Sequence, residues 1–115
     1  MQTGASITDA KLKENVLKAV ADEYSRAILT STVDRPKSIV EISSECKIPM
    51  STAYRRVHEL EEVGLVQATR SVISEDGKRY YLYRSRIKAV RTTFGIDSLS
   101  VEIIPNEDMG RSAYW

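Results

Sequence analysis

The sequence is poor in the residues that build disulfides, metal centres and enzyme active sites. Its 115 residues include one cysteine, Cys46, and one histidine, His58. A single cysteine excludes an intramolecular disulfide and a cysteine-rich zinc site, and acid–base catalysis needs a second group positioned beside the histidine. A glycine-rich phosphate loop is also missing, as is a nucleophile with a neighbouring base. We therefore expect no enzyme activity, no metal site and no cofactor.

Long apolar runs are absent as well. No run approaches the roughly 20 residues that a membrane-spanning helix needs, and the N-terminus lacks the basic and then apolar pattern of a secretion signal. The length and the hydrophobic fraction of 42% suit a single modest core. The sequence therefore predicts one soluble domain in the cytoplasm.

The chain has almost no net charge, +1, but its charges are unevenly distributed. Residues 67–91 carry seven Lys/Arg against two Asp/Glu, whereas residues 1–66 carry nine against ten and residues 92–115 carry one against four. A local excess of this kind gives the positive potential that phosphate contacts require. The same pattern also suits a solvated edge strand decorated with basic side chains.

A helix-turn-helix is predicted from residues 38–63. Three apolar residues of the second half recur at i, i+4 and i+7 and so share one side of a helix: Ala53, Val57 and Leu60. The other side carries hydroxyl and guanidinium groups, from Ser51, Thr52, Arg55 and Arg56. The first half is a short helix capped by Ser38, and residues 47–49 form a tight connection. Two short helices joined this closely are typical of DNA-binding motifs.

Two further helices are predicted before this pair. Residues 1–7 suit a loose N-terminal lead, with Thr8 or Ser6 as the cap of a first helix that ends at about residue 21. Asp22 suits the cap of a second helix over residues 23 to about 33. The expected inward side chains are Leu12, Val16, Leu17 and Val20 in the first helix, and Tyr24, Ala27, Ile28 and Ser31 in the second.

Beyond Gly64, which suits a helix-closing residue, the pattern changes from helical to alternating. Residues 65–73 and 79–85 are strand-like and are separated by an Asp76-Gly77 turn, which predicts a β-hairpin. Tyr81 and Tyr83 share one face of the second strand, whereas Tyr80 and Leu82 share the other. We expect one of these two pairs to pack on the helices.

In this order and spacing, residues 16–84 resemble the winged helix-turn-helix regulators of prokaryotes, and in particular the ArsR-like group that is common in archaea. The resemblance rests on residues 19–29, the helix pair, the segment 61–66 and the hairpin, which corresponds to the wing. It implies a sequence-specific transcription regulator that acts as a homodimer. The cysteine-containing metal motif of arsenic-sensing relatives is missing at residues 39–44, so metal sensing is not implied.

The C-terminal part departs from that family, in which a long dimerisation helix is expected. Residues 90–94 and 99–103 alternate as strands around a turn at residues 95–98, which predicts a second hairpin within residues 86–105. An isolated hairpin is marginal in water and needs a partner surface, either in its own domain or in a second subunit. The first helix is the other candidate for a dimer contact. Residues 106–115 are predicted to be a flexible tail.

The predicted fold class is therefore α+β, mainly α: a winged helix-turn-helix at residues 8–85 with an additional C-terminal β-hairpin. The predicted function is sequence-specific binding of double-stranded DNA, with a recognition helix at about residues 50–63 and a wing at about residues 72–80. The predicted DNA-binding residues are Ser51, Thr52, Tyr54, Arg55, Arg56, Lys37, Lys78 and Arg79.

Two alternatives remain open from the sequence. The two recognition-helix arginines can instead pair with Glu59, one turn further along the helix, as ordinary surface charges. A winged helix can also bind proteins of the transcription or replication machinery, which the acidic residues Glu59, Glu61 and Glu62 would suit.

Overall fold

The computed structural model describes residues 4–107, which form a helical body with two β-hairpins. The elements of this part, in chain order, are β1 Ala5–Ser6, α1 Ala10–Ala21, α2 Glu23–Ser31, α3 Ile39–Cys46, α4 Met50–Val63, β2 Val66–Ile73, β3 Arg79–Ser85, β4 Ile87–Phe94 and β5 Leu99–Pro105. The predicted architecture, a winged helix-turn-helix with a C-terminal hairpin, is confirmed.

The first two helices meet at one residue. Asp22 ends α1 and caps α2, because its carboxylate accepts from the backbone N–H of Ser25 at 2.8 Å. This cap was predicted, whereas the predicted caps of α1 were wrong: Asp9 caps that helix. The second helix ends at Ser31, two residues before the expected end, and Tyr24 is exposed because the buried face runs through Ser25, Ile28 and Leu29 instead.

The helix-turn-helix has the predicted boundaries. Ser38 and Glu41 form a reciprocal capping box that fixes the start of α3. The turn passes through Lys47, whose φ of 56° is left-handed, and Gly64 closes α4 with a φ of 91°. The expected stripe of α4 is fully buried, with Ala53, Val57 and Leu60 at most 2% exposed. Its burial against α2 and α3 leaves the opposite face of α4 open.

The wing is the two-stranded sheet of β2 and β3, closed by a turn in which Gly77 has a φ of 84°. The predicted strands and turn are confirmed, but the predicted tyrosine pairing is wrong. Leu82 and Tyr83, which are adjacent and lie on opposite faces, are both buried, whereas Tyr80 and Tyr81 are exposed. The reason is that the base of the wing is enclosed by the body on both faces, while its outer half projects into solvent.

A second sheet, in the order β1-β5-β4, contains the C-terminal hairpin. The predicted loose lead is wrong at residues 5–7, because Ala5 and Ser6 pair with β5 and Ile7 is buried. Val101 and Ile103 of β5 are also buried, so this sheet completes the single core.

Asn106, which was predicted to be the first residue of a flexible tail, belongs to the folded core instead. The Asn106 side chain is fully buried, and its amide donates to the carbonyls of Val33 and Ser85 at 2.9 Å each. These bonds tie the end of β5 to the end of β3 and to the segment after α2. The remainder of that prediction falls on residues 108–115, which lie outside the described residues.

Candidate nucleic-acid interface

The N-terminal half of α4 is open at its first turn. Pro49 precedes the helix and supplies no side-chain cap, and neither Ser51 nor Thr52 fills that role. Ser51 is exposed and Thr52 is half-buried, and no side chain within residues 4–107 caps the first turn of the helix. Such a turn suits a phosphate oxygen, because backbone donors and the helix dipole point toward it.

The two neighbouring arginines of α4 have different environments. Arg55 is exposed and makes no hydrogen bond or ion pair with another residue of the described range. Arg56 is turned toward α2: its Nε donates to the Asp22 carboxylate at 2.9 Å, and its Nη1 donates to Glu59 at 3.1 Å. The alternative of ordinary ion pairing therefore describes the geometry of Arg56, and only Arg55 presents a free guanidinium group.

The ion pair between Asp22 and Arg56 shifts the pKa of both side chains. Burial alone would raise the pKa of the Asp22 carboxyl, but hydrogen bonds from Arg56 and from Ser25 bring that pKa below its usual value. The hydrogen bonds to Asp22 and to Glu59 raise the pKa of the Arg56 guanidinium group. With a side-chain exposure of 24%, Arg56 is held by its partners against α2.

Lys37 was a predicted DNA contact, but its side chain is buried in the structure. The residue is only 8% exposed, its Nζ lies 2.6 Å from Glu45 Oε1, and its backbone exchanges two hydrogen bonds with Tyr83. The sequence showed a basic residue next to a helix start, but it did not show that β3 pairs with this segment. Lys37 instead joins α3 to the base of the wing.

A row of three rings links α4 to the wing. The centroids of Tyr54 and His58 are 4.6 Å apart, and those of His58 and Tyr83 are 6.2 Å apart with the rings nearly perpendicular. His58 is half-buried, as expected, and its Nδ1 lies 3.4 Å from Glu61. Burial and the Glu61 carboxylate raise the pKa of the Tyr83 hydroxyl. The row gives α4 and β3 a shared surface, with Tyr54 at its exposed end.

The outer half of the wing presents basic and aromatic side chains. Lys78 and Arg79 are exposed, as predicted, and Arg79 and Tyr81 lie on the strand face that also carries Tyr83. Sequence reasoning missed two exposed residues of the outer wing: Tyr81, on the same face as Arg79, and Arg70, which is opposite Leu82 on the other face. Arg70 was included in the basic segment, but the irregularity between Ala68 and Arg70 changes the face on which it lies, and no sequence pattern indicated this.

Part of the basic segment 67–91 does not belong to this surface. Arg84 donates to the carbonyls of Val33 and Asp34, and Arg91 lies 3.5 Å from Glu102 on the C-terminal hairpin. Arg86 is half-buried, and its burial lowers the pKa of its guanidinium group. Lys88 belongs to β4, so the outer wing carries three cationic side chains, from Arg70, Lys78 and Arg79.

The charge of α4 changes sign along its length. Its N-terminal half carries Arg55 and Arg56, whereas its C-terminal half carries Glu59, Glu61 and Glu62. A polyanion would therefore be attracted to the first two turns of α4 and repelled from the last two. The site that results consists of the first two turns of α4 and the outer wing.

Residues 4–107 contain neither a membrane-spanning helix nor a cluster of metal ligands. No helix in this range has the length and apolar character needed to cross a membrane. Within the same range, no group of three or more His, Cys, Asp or Glu side chains is placed to hold a metal ion.

Comparison with known proteins agrees with this architecture. Residues 20–67 match a family model described as a helix-turn-helix domain. A comparison with curated proteins gives no significant match. The matched segment runs from the end of α1 to the start of β2 and contains the whole helix-turn-helix.

Two solved structures share the fold. One is a homodimeric winged helix-turn-helix DNA-binding domain from Mycobacterium bovis, described as a possible ArsR-family transcriptional regulator: identity is 23%, the match covers 65% of this chain and 64% of that chain, and the TM-score is 0.54. The other is a possible transcriptional regulator from Methanosarcina mazei, with 21% identity, coverage of 72% and 75%, and a TM-score of 0.51. This chain thus spans less than two thirds of the mycobacterial fragment. Residues 20–67 are thus similar to that helix-turn-helix family, and the chain has the winged helix-turn-helix fold of these two structures.

Proposed function

We propose that this protein is a transcription regulator that binds double-stranded DNA sequence-specifically. The N-terminal half of α4 enters the major groove, and the wing, at about residues 72–80, contacts the backbone or the minor groove. The observation that carries the proposal is the free guanidinium group of Arg55, which lies on the exposed face of the second helix of a helix-turn-helix. Both structural neighbours are described as possible transcriptional regulators, which supports the regulatory role.

Each part of the site has a distinct task in this proposal. Arg55 reads a base, because a guanidinium group can form two hydrogen bonds with guanine in the major groove. Ser51, Thr52 and the first-turn N–H groups hold a phosphate, which sets the register of the helix on the duplex. Tyr54 contributes at the edge toward the wing, whereas Arg56 is a positioning residue that fastens α4 to α2.

The wing supplies contacts that do not depend on sequence. Lys78 and Arg79 lie at and just after its turn, where flexible cationic side chains can neutralise phosphates. Tyr81 shares a face with Arg79 and continues the surface that begins at Tyr54. Lys37 has no contact with DNA in this proposal.

The regulator acts as a homodimer. The mycobacterial neighbour is described as homodimeric, and a two-fold dimer presents two recognition helices to half-sites about one helical turn of DNA apart. Selection of bound duplexes from a random library tests this directly, since enrichment of an inverted repeat reports both sequence preference and two-fold symmetry.

Arg55→Ala is the sharpest test of the site. On a selected duplex we expect affinity to fall by about 5- to 150-fold, the equivalent of about 1–3 kcal/mol, with the melting temperature of the protein unchanged. Lys37→Met is the matched control, because it also removes one positive charge, and it should change affinity by less than about twofold. Fluorescence anisotropy with labelled duplex measures both variants.

Other outcomes would favour a different function. Failure to enrich any sequence, together with no binding of random duplex at low salt, would contradict DNA binding. It would favour a winged-helix module that binds proteins, for which the exposed carboxylate of Glu62 is available. Equal losses of affinity in Arg55→Ala and Lys37→Met would show that net charge, and not base reading, controls binding.

A further inference from the structure

The C-terminal hairpin has an open edge. In the sheet order β1-β5-β4, β4 is the outer strand, and no strand of residues 4–107 pairs with its free side. The hairpin turn fixes which backbone groups point to that side, because Gly95 and Ser98 exchange two hydrogen bonds, at 2.8 and 3.4 Å. Gly95 and Ser98 are thus a hydrogen-bonded pair of the ladder. Hydrogen-bonded and non-hydrogen-bonded pairs alternate along an antiparallel ladder, so every second residue of β4 before Gly95 belongs to a non-hydrogen-bonded pair. The residues whose N–H and C=O groups point away from β5 are therefore Val90, Thr92 and Phe94.

Two large apolar side chains stand at the tip of this hairpin. Phe94 is 83% exposed and Ile96 is 97% exposed, which are the highest values among the large hydrophobic residues of the described chain. A groove with apolar walls lies along the same strand, between α2 and β4, and is lined by Leu29, Val33, Ile87 and Val90. Phe94 at the tip and Val90 in the groove are four residues apart on β4, so their side chains lie on the same face of the sheet. Their partners on β5, Leu99 and Ile103, lie on that face as well.

We propose that two copies of this chain pair through β4, antiparallel and about a two-fold axis at Thr92. In this register, Thr92 faces its own copy, and Val90 of each chain faces Phe94 of the other. Cross-strand Thr–Thr pairs and pairs of aromatic with β-branched residues are both favourable. The result is a continuous six-stranded sheet.

The register follows from which residues have outward-facing backbone groups. A symmetric pairing that is centred on Val90 would bring Phe94 opposite Arg86, beyond the irregularity between Ile87 and Ala89, where the ladder is broken. A pairing centred on Phe94 would place Thr92 opposite the turn residue Ile96. Only a centre at Thr92 uses all three outward residues in one ladder.

Side chains at the two ends of the pairing are complementary. Beyond Phe94, the tip of one copy continues over the groove of the other, so that Phe94 and Ile96 meet an apolar wall. Asp97 of that tip is opposite in charge to Arg26 and Lys88, which also line the groove. Arg91 is next to the axis, but it is paired with Glu102 in its own chain and therefore does not repel its copy.

This inference rests on the homodimer proposed above and names its surface, which is β4 and not α1. Thr92→Pro tests it selectively, because the lost N–H points toward the second copy and not toward β5. We expect wild type and the control Thr92→Val to sediment as dimers, and Thr92→Pro to sediment as a folded monomer in analytical ultracentrifugation. Phe94→Ser, at an exposed position, should weaken the dimer by on the order of tenfold or more without affecting the fold.

Cross-linking tests the register. In a Cys46→Ala background, Thr92→Cys places two thiols across the axis, with Cα atoms about 5.5 Å apart, which is within reach of a disulfide. Rapid disulfide formation on oxidation is expected there and not for Glu14→Cys, an exposed position on α1. A monomeric wild type, or a dimer that survives both Thr92→Pro and Phe94→Ser and cross-links through residue 14, would overturn the proposal.

DNA binding separates this inference from the function on which it rests. A dimer that is disrupted by Thr92→Pro but does not bind DNA would support the interface and contradict the regulator. Retained DNA binding by a wild-type monomer would support the DNA-binding site and contradict the interface.

Discussion

At the scale of single residues, Asp22 links two helices of the helical body. Its carboxylate accepts from the backbone and the hydroxyl of Ser25 at the start of α2, and from the guanidinium group of Arg56 on α4. One side chain thus caps a helix and fixes the distance between that helix and the one proposed to read DNA. Its pKa lies below the usual value, so folding stabilises the charged form.

Replacement of Asp22 separates the cap from the ion pair. Asp22→Asn keeps a good cap and loses the charge, which should lower the free energy of unfolding at pH 7 by up to about 1 kcal/mol. Asp22→Ala also loses the cap and should cost about 0.5–2 kcal/mol more. Urea denaturation followed by circular dichroism measures both.

The effect of pH follows from the lowered pKa of Asp22. The contribution of its charge is present above the unfolded pKa of about 3.9 and is lost as the pH falls through the lower folded pKa. The difference in stability between wild type and Asp22→Asn should therefore shrink between about pH 5 and about pH 2. A constant difference over that range would show that the carboxylate charge contributes nothing.

Sequence patterns predicted several residue roles that depend on a local partner, although the Asp9 cap of α1 was missed. The caps at Asp22 and Ser38 and the left-handed Gly64 were correct, because each depends on residues within one turn. The difference between Arg55 and Arg56 was not predictable, since the carboxylate that selects Arg56 is 34 positions away in the sequence. The burial of Lys37 has the same cause: its backbone partner is Tyr83.

At the scale of elements, the wing combines a packed base with a solvent-exposed outer half. Alternation along β3 predicted a strand, but it could not predict which face packs, because the base is covered on both faces and the outer half on neither. The boundaries of α3, α4 and β3 were predicted closely, since caps, the apolar stripe and the turn residues all agree there.

The wing should contribute to DNA affinity without setting sequence preference. The logarithm of the DNA-binding constant falls linearly with the logarithm of the salt concentration, and each phosphate contact that is lost makes this slope shallower by about 0.9. The double variant Lys78→Ala, Arg79→Ala should therefore lower that slope by about 2 and weaken all duplexes alike. Anisotropy titrations between about 50 and about 200 mM salt measure the slope. A changed ranking of duplexes, with an unchanged slope, would place base reading in the wing.

At the scale of the whole molecule, the two ends of the described chain are joined in one sheet. Ala5 pairs with Ile103, and the N–H of Ile7 donates to the Val101 carbonyl at 2.9 Å. Lys13 of α1 also donates to the Leu99 carbonyl at 3.0 Å. A two-residue strand has too little periodicity to be found in a sequence, which is why residues 5–7 were expected to be a loose lead.

Ile7 tests whether this sheet and the helical body fold together. Its side chain belongs to the same buried cluster as Val16, Val101 and Ile103, at 9% exposure. We expect Ile7→Ala to lower the free energy of unfolding by about 2 kcal/mol, near the lower end for such a change because the site is at the edge of the core. The control Thr8→Ala, at an exposed neighbour, should stay within about 0.5 kcal/mol of wild type.

The shape of the urea denaturation curve shows whether the sheet and the helical body unfold in one transition. If one core joins both parts, Ile7→Ala shifts a single transition to lower urea concentration and leaves its slope unchanged. Hydrogen exchange should then show equal losses of protection in β5 and in α4, since both open only by global unfolding. An early separate transition, with protection lost in β4 and β5 alone, would instead make the C-terminal hairpin an independent unit that is attached to a complete helical domain.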